Sequence, residues 1–305
     1  MLRFALKRLG LALLVAVAVS AVAFLLLRAS GDVATALAGE GAHTEDIENI
    51  RKTYGLDRPL AVQYFDWIGK MARGDFGQSL YFKTDVLDLV RDKLPTTAWL
   101  ALFSLAFALL ISIPLGVVAA LYPNTWIDRF CLAIAVVGQA LPNFFFALIL
   151  IMVFAVTLPV LPVSGSESWA NFVLPSVALG YYVAPPFMRL ARAGMVEVLA
   201  SDYIRTARAK GLSAPSIIFK HALVNALVPI VALAAVQLGF LLGGSVVIET
   251  VFALDGLGYL AYRSISHIDL PVTQAIVTLL SFIYVGLTLA ADLINAWLDP
   301  RIRVA

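Results

Sequence analysis

Charge is scarce in this sequence. Only 14% of its 305 residues are Asp, Glu, Lys or Arg, against about 25% in an ordinary soluble domain. So few charges cannot clothe a soluble protein of this length, which excludes a soluble enzyme, a disordered tail or a DNA-binding module as the first reading. The net charge is +2 and the basic residues are spread over several loops, so there is no nucleic-acid footprint. Histidine is rare as well. His43, His221 and His267 all fall outside the long apolar runs, and no H-E-x-x-H pair offers a zinc site. The single cysteine, Cys131, cannot form an internal disulfide and reads as a packed apolar residue. There is no G-x-S-x-G elbow for a serine nucleophile. No G-x-x-x-x-G-K-[ST] loop cradles a nucleotide phosphate either: the one Gly-Lys pair, Gly69-Lys70, is followed by Met71. The chain therefore lacks the parts to hydrolyse ATP by itself, and no metal site or bound cofactor is expected.

What is abundant is apolar sequence: 61% of residues are hydrophobic, and the mean hydropathy is +0.90. A helix needs about 20 mostly apolar residues to cross about 30 Å of hydrocarbon. Charge-free runs of that kind lie at 9–27, 99–121, 130–158, 172–188, 226–248 and 272–291, predicting six spans in an all-α membrane protein. The fourth run is short and carries Pro175, Pro185 and Pro186, which membrane helices tolerate when neighbours satisfy the freed backbone groups. Pro142 falls midway along the third and predicts a kink there. The first run follows a basic start (Arg3, Lys7, Arg8) but is longer than a signal-peptide core and lacks a small-x-small cleavage site, so it reads as a retained span.

Lys and Arg in short loops set the orientation. Arg3, Lys7 and Arg8, Arg129, the set Arg189, Arg192, Arg205, Arg208, Lys210 and Lys220, and the C-terminal Arg301 and Arg303 all fall on one side. On the other side, loop 159–171 has none and loop 249–271 has only Arg263. Both termini are therefore expected in the cytoplasm.

Two segments are expected outside the lipid. Residues 28–94 read as a small outer module, leaving 95–305 as a five-span core. In the module, Thr44 caps a helix with an acidic first turn (Glu45, Asp46, Glu48) and Gly55 stops it; Pro59 opens a second helix bearing Val62, Phe65, Trp67 and Ile68 and ending near Gly74. A solvated surface and a docking face for an external partner fit this module equally. Residues 189–225 form a cytoplasmic loop. There Ser201 or Asp202 caps a short helix over 203–210, Gly211 ends it in a left-handed turn, and Ser213 caps a second helix with Pro215 in its first turn. Ala207 and Gly211, four apart, share a face that would let another backbone approach closely, while Arg205 and Arg208 point elsewhere. On composition alone this loop reads better as a basic stretch that only sets topology.

Polar residues inside the runs are mild. Gln139, Asn143, Gln237 and Gln274 are uncharged, and Asp292 sits at a helix end. Each amide serves either a helix–helix hydrogen bond or the lining of a polar substrate path. The absence of ionisable groups at membrane depth argues against an ion-coupled transporter. Gly239-x-x-x-Gly243, with Gly244 beside it, marks a close helix–helix contact. These residues leave a partner-driven transporter, a receptor, a channel and an assembly subunit open.

Longer strings narrow the choice. The loop reads Asp202-Tyr203-Ile204-Arg205-Thr206-Ala207-Arg208-Ala209-Lys210-Gly211-Leu212-Ser213, followed by His221-Ala222-Leu223-Val224-Asn225-Ala226-Leu227-Val228-Pro229. It resembles the coupling loop of the dipeptide/oligopeptide/nickel permease family of ABC importers. Gly55-Leu56-Asp57-Arg58-Pro59-Leu60, Arg73-Gly74-Asp75-Phe76-Gly77-Gln78-Ser79-Leu80, the stretch from Leu238 to Phe252, and the ending Leu298-Asp299-Pro300-Arg301-Ile302-Arg303 are similar to family segments in the same order. Pro162-Val163-Ser164-Gly165-Ser166-Glu167-Ser168-Trp169 resembles the glutathione-type members. Two strings depart. Ser30-Gly31-Asp32-Val33 stands where the family usually has Pro-Gly-Asp-Pro, and Leu254-Asp255-Gly256-Leu257-Gly258 where it often has Trp-Pro-Gly-Leu-Gly.

The resemblance implies a permease subunit that imports a di- or oligopeptide or a similar small solute by alternating access. It implies a homologous second permease, two cytoplasmic ABC ATPases that hold ATP and Mg, and an extracytoplasmic substrate-binding protein, assembled in a bacterial inner membrane. It assigns the ATPase contact to Asp202, Tyr203, Arg205, Thr206, Ala207, Lys210 and Gly211. Gln139, Asn143, Gln237 and Gln274 are the candidates for lining the path.

Overall fold

The computed structural model describes residues 2–29, 33–38, 41–53 and 55–298. The strings Ser30-Gly31-Asp32 and Asp299-Pro300-Arg301-Ile302-Arg303 lie outside the described residues. Every named element is a helix. Three helices are each long and apolar enough to cross a membrane: α1 (Leu2–Ala29), α5 (Val86–Leu121) and α14 (Leu270–Leu298). Two bent pairs bring the number to five. Helix α8 (Val173–Leu199) has 27 residues, long enough to span, but it carries Arg189 and Arg192 towards one end and is largely sheathed by its neighbours.

The third expected span is broken rather than kinked. Helix α6 (Trp126–Ala140) and α7 (Asn143–Leu150, continued by a π-helical segment Ile151–Thr157) meet at 100°. The cause is local. Pro142 has no N–H to give, and it holds Leu141 in extended backbone (φ −93°, ψ 134°), where no helix can continue. The fifth expected span also differs. A π-helical segment (Ser216–Ala222) and α10 (Leu223–Ala226) bend by 50° into α11 (Val228–Gly244), which stops short of residue 248. Pro229 in the first turn of α11 cannot donate back to the preceding turn, so the chain bends there. Short helix α12 (Val246–Val251) follows, then α13 (Leu257–Ser266).

Helices α5 and α8 pack along their lengths and form the centre. Glycines permit the approach: a Cβ on Gly180 would lie 2.4 Å from the Ser104 carbonyl oxygen, and one on Gly116 would lie 2.6 Å from the Ala191 Cβ. The Ser112 hydroxyl donates to the Ala184 carbonyl at 2.7 Å, tying the two helices at the proline pair. Leu100, Ala108, Leu179, Phe187, Leu241 and Phe252 belong to the core built around this pair. Cys131 is buried in a smaller cluster with Ala119, Ala135 and Met188, as expected. On the far side α14 packs between α11 and α1, and Arg8 pairs with Asp292 at 3.0 Å. Gly239 meets Tyr284 of α14, with 2.7 Å from its ideal Cβ to the ring, but Gly243 has nothing within 4 Å. The expected glycine contact is thus made at Gly239 and not at Gly243.

The outer segment is not a separate unit ending at 94. Helix α5 starts at Val86, so its first turns belong to the helix that continues into the second span. Val86 and Val90 are buried against Leu257, Leu260, Val272 and Ile276 at the head of α13 and α14. Before this helix come α2 (Val33–Ala38), α3 (Thr44–Thr53) and α4 (Leu60–Met71). The His43 carbonyl accepts from Asp46 and Ile47, so α3 begins at Thr44 itself and His43, not Thr44, takes the cap position. Gly55 (φ +63°) ends it, with Gly55 N–H donating to Lys52 and Leu56 N–H to Arg51. Pro59 precedes α4 as expected, although the helix ends at Met71 and the left-handed Gly74 comes three residues later.

The carboxyl of Glu249 organises the exit of the fifth span. It is fully buried and accepts from the Thr97 and Ser245 hydroxyls (2.8 and 2.7 Å) and from the Tyr259 N–H (2.9 Å) in the first turn of α13. Thr97 in turn accepts the Leu257 N–H at 2.8 Å. One carboxyl and one hydroxyl thus satisfy two of the orphan donors at that helix start. The price is space: ideal Cβ atoms on Gly256 and Gly258 would lie 2.4 and 3.0 Å from the Glu249 Oε2. The buried carboxyl thus leaves no room for a side chain at either glycine.

Candidate functional site

The expected 189–225 loop starts later, because α8 runs on to Leu199; residues 200–225 are built as a hairpin of helices. Helix α9 (Asp202–Ala209) starts after Ser201, whose backbone is extended (φ −71°, ψ 155°) as an N-cap requires. Ser201 uses its hydroxyl on the Val198 carbonyl instead of on α9. Gly211 (φ +75°) ends α9, with its N–H on the Arg208 carbonyl at 3.0 Å and the Leu212 N–H on the Ala207 carbonyl at 3.3 Å. This pair of bonds satisfies two of the last carbonyls and needs a residue free of a Cβ penalty at the turn. The chain then enters the second helix at Ala214, as expected.

Helix α9 is amphipathic, and its inner face is dry. Ile204 is fully buried and Ala207 nearly so, packed with Val117 and Ala120 of α5, Met195 of α8, and Ile217, Ala222 and Ala226 of the helices leading into α11. Its outer face carries Asp202, Tyr203, Arg205, Thr206 and Lys210, all exposed. This corrects one expectation. Ala207 does not share a partner-facing surface with Gly211; it turns inward, because the three-residue step from Ile204 puts it on the buried stripe. Gly211 remains outside with nothing within 4 Å of its ideal Cβ. Seven residues expected at the contact therefore divide into six that a partner can reach and one that anchors the helix.

The outer face is braced by its own side chains. Arg205 pairs with Asp202, and the Thr206 hydroxyl donates to the Asp202 carbonyl at 3.0 Å. The Asn225 amide donates to the Tyr203 hydroxyl (3.0 Å) and to the His221 carbonyl (2.9 Å), joining the two arms of the hairpin. Asn225 was legible only as part of a longer string. Beside the hairpin lies an open groove of about 620 Å³ lined by Ala120, Pro123, Val196, Arg208, Leu212 and Ile217. Phe219 (62% exposed) and Leu212 stand out of the same surface.

A buried ion pair ties the foot of α8 to α6. Arg192 donates from Nε and Nη2 to the two oxygens of Asp128, both at 2.6 Å, and the Asn124 N–H adds a third bond at 2.9 Å. Asp128 is 3% exposed. A sequence reading counts Arg192 among the loop's topology charges, but the structure spends it here. Arg192→Met is expected to destabilise the protein by about 3 kcal/mol, since it strands a buried carboxyl. The double variant Asp128→Asn/Arg192→Met should regain part of that loss. Thermal unfolding of the purified chain and its variants measures both.

The four amides fall on four different helices. Gln139 is exposed near the end of α6, Asn143 is half-buried at the start of α7, and Gln237 is half-buried on α11. Gln274 is buried near the start of α14, with its amide nitrogen unpartnered. Among the described residues no group of His, Cys, Asp and Glu could hold a metal ion.

Residues 112–304 match the family model "Binding-protein-dependent transport system inner membrane component", and residues 1–101 match its N-terminal counterpart. The chain belongs to this family. Curated relatives include the "Glutathione transport system permease protein GsiC" of Escherichia coli (strain K12) and of Shigella dysenteriae serotype 1 (strain Sd197). Each is 40% identical over 304 residues, 99% of either chain. Among solved structures, the MetNI methionine ABC transporter in an inward-facing conformation aligns with a TM-score of 0.58 and 23% identity, over 69% of this chain and 96% of that one. An amino acid ABC transporter crystallised with histidines aligns with a TM-score of 0.50 and 15% identity, over 70% of this chain and 94% of that one. These two likenesses establish the fold. This family member is a multi-pass, all-α permease subunit of an ABC importer, and its family works together with ATPase and permease partners.

Proposed function

We propose that this permease forms half of a translocation path for a di- or oligopeptide-type solute, glutathione among them, and that the α9 hairpin is its contact with a cytoplasmic ABC ATPase. The observation that carries this reading is the division of α9 into a dry inner face and a bare outer one. Ile204 and Ala207 fasten the helix to α5, α8 and the approach to α11, while Tyr203, Thr206, Lys210 and Gly211 are left for a partner. An ATPase that closed on this face would move several membrane helices together.

The rest of the assembly follows the family. A homologous second permease completes the path, two ATPases bind and hydrolyse ATP with Mg, and an extracytoplasmic binding protein delivers solute to the outer face. Both termini then lie in the cytoplasm, on the side of the hairpin. ATP binding draws the two coupling hairpins together and opens the path outward; hydrolysis reverses it. Such a cycle requires the hairpin to bind differently to the two ATPase states. The similarity of the full chain to glutathione transport permeases supports the substrate class.

A cross-linking experiment tests the hairpin contact. In a Cys131→Ser background, Ala209→Cys on the exposed side of α9 is expected to form a cross-link with the ATPase in the assembled transporter, with a yield that changes on adding ATP. Capture of no ATPase at that position, in an assembly that still transports, would remove the basis of the reading. Uptake of labelled glutathione against a labelled dipeptide, with the cognate binding protein present, settles the substrate.

A further inference from the structure

Between the outer segment and the head of α14 lies a cleft of about 900 Å³. Five cations line it: Arg28, Arg58, Lys70, Arg73 and Lys83. Its two carboxylates are already engaged, Asp66 in an ion pair with Arg58 (2.9 Å) and Asp75 accepting the Gly77 N–H (3.0 Å). Arg28 is also committed, donating to Gln63 (2.9 Å) and lying over the Phe24 ring. Lys70, Arg73 and Lys83 are exposed cations without an ion pair among the described residues. Gln274 also lines the cleft. It is 7% exposed, and its amide nitrogen has no hydrogen-bond partner. A buried amide donor left unpaired costs free energy unless something accepts from it. Three free cations and one unpaired donor around a single cleft call for an oxyanion.

The level of the cleft points to where that oxyanion comes from. Helix α4 lies on the outer end of α1: Tyr64 bonds to Ser20 (2.7 Å), and the rings of Tyr64 and Trp67 pack on Phe24. Ser20 and Phe24 belong to the first span, so α4 sits at the depth where hydrocarbon gives way to headgroups. It carries the aromatic and basic residues typical of that level, and Phe65, on the cleft wall, is 69% exposed. We propose that this cleft binds a phosphate-type anion, carried by an acidic phospholipid of the outer leaflet. Lys70, Arg73 and Lys83 take its charge, Gln274 donates to one of its oxygens, and Phe65 meets the start of an acyl chain. The proposal stands on the outer face and does not depend on the role given to the hairpin.

The test uses the full chain purified in detergent and counts bound molecules by native mass spectrometry. Phosphatidylglycerol, phosphatidylcholine and inorganic phosphate are added in separate arms. Selective retention of phosphatidylglycerol is expected, lowered by at least about tenfold in the Lys70→Gln/Arg73→Gln/Lys83→Gln variant. Retention of inorganic phosphate alone, lost in the same variant, would support the anion site with a free anion as its source. Equal retention of both lipids, no retention in any arm, or retention unchanged by the variant would overturn the proposal. Gln274→Leu, which leaves every surface cation in place, provides a second reading if the triple variant unfolds: it too should weaken retention, and an unaltered affinity would count against the site.

Discussion

Gly211→Glu is expected to lower substrate uptake by more than about tenfold while the protein reaches the membrane at its usual level. The two halves of that statement come from different observations. A non-glycine residue at φ +75° costs about 1–2 kcal/mol, and a Cβ at this position meets nothing within 4 Å, so folding survives. The same open space is where a docked ATPase would sit, and a tenfold loss needs only 1.4 kcal/mol of spoiled contact. Glutamate also places a negative charge at the carbonyl end of α9, where it is repelled. Gly211→Asn separates strain from docking, because asparagine accepts left-handed backbone and is smaller; it should transport better than the glutamate variant. Uptake assays corrected for membrane abundance measure the effect. Near-normal transport by Gly211→Glu would contradict the coupling role.

The largest loss of stability is expected at Glu249. Glu249→Leu removes the acceptor for the Thr97 and Ser245 hydroxyls and for the Tyr259 N–H in one step. Each buried donor left unpaired costs about 1–3 kcal/mol, and the three are not independent, so a combined loss of about 3–5 kcal/mol is expected. The consequence is a protein that is degraded or that melts far below the parent. Glu249→Gln keeps an acceptor for two of the three donors and should lose markedly less. Melting temperatures of the purified variants and their abundance in membranes give the comparison. If leucine and glutamine were equally mild, Glu249 would not be the keystone of that helix junction.

Much of this was legible from residue spacing. Apolar runs located the helices, and Pro142, Gly55 and Gly211 located three of their ends, because each acts through its own backbone and needs no partner. The hairpin was legible for the same reason: its turn is closed by bonds within six residues. What the spacing missed depends on contacts distant in the chain. A helical wheel puts Ala207 on one stripe with Ile204, but only the packing against α5 and α8 shows that this stripe is the buried one. Arg192 looked like one more topology charge until Asp128, sixty-four positions away, was brought beside it. Glu249 sat inside a family string, and only the fold shows that it caps a helix ten residues later. Gln274 lies near the start of α14 and lines the cleft between that helix and the 28–94 segment, a placement that depends on contacts across almost two hundred residues.

The hairpin shares its dry face with three rods of the bundle at once rather than with one. A push applied there cannot slide a single rod past its neighbours; it loads all of them through a common footplate. If the footplate takes an ATPase's stroke, as proposed above, weakening it at Ile204 or Met195 would waste that stroke as local give, leaving nucleotide turnover intact but unharnessed.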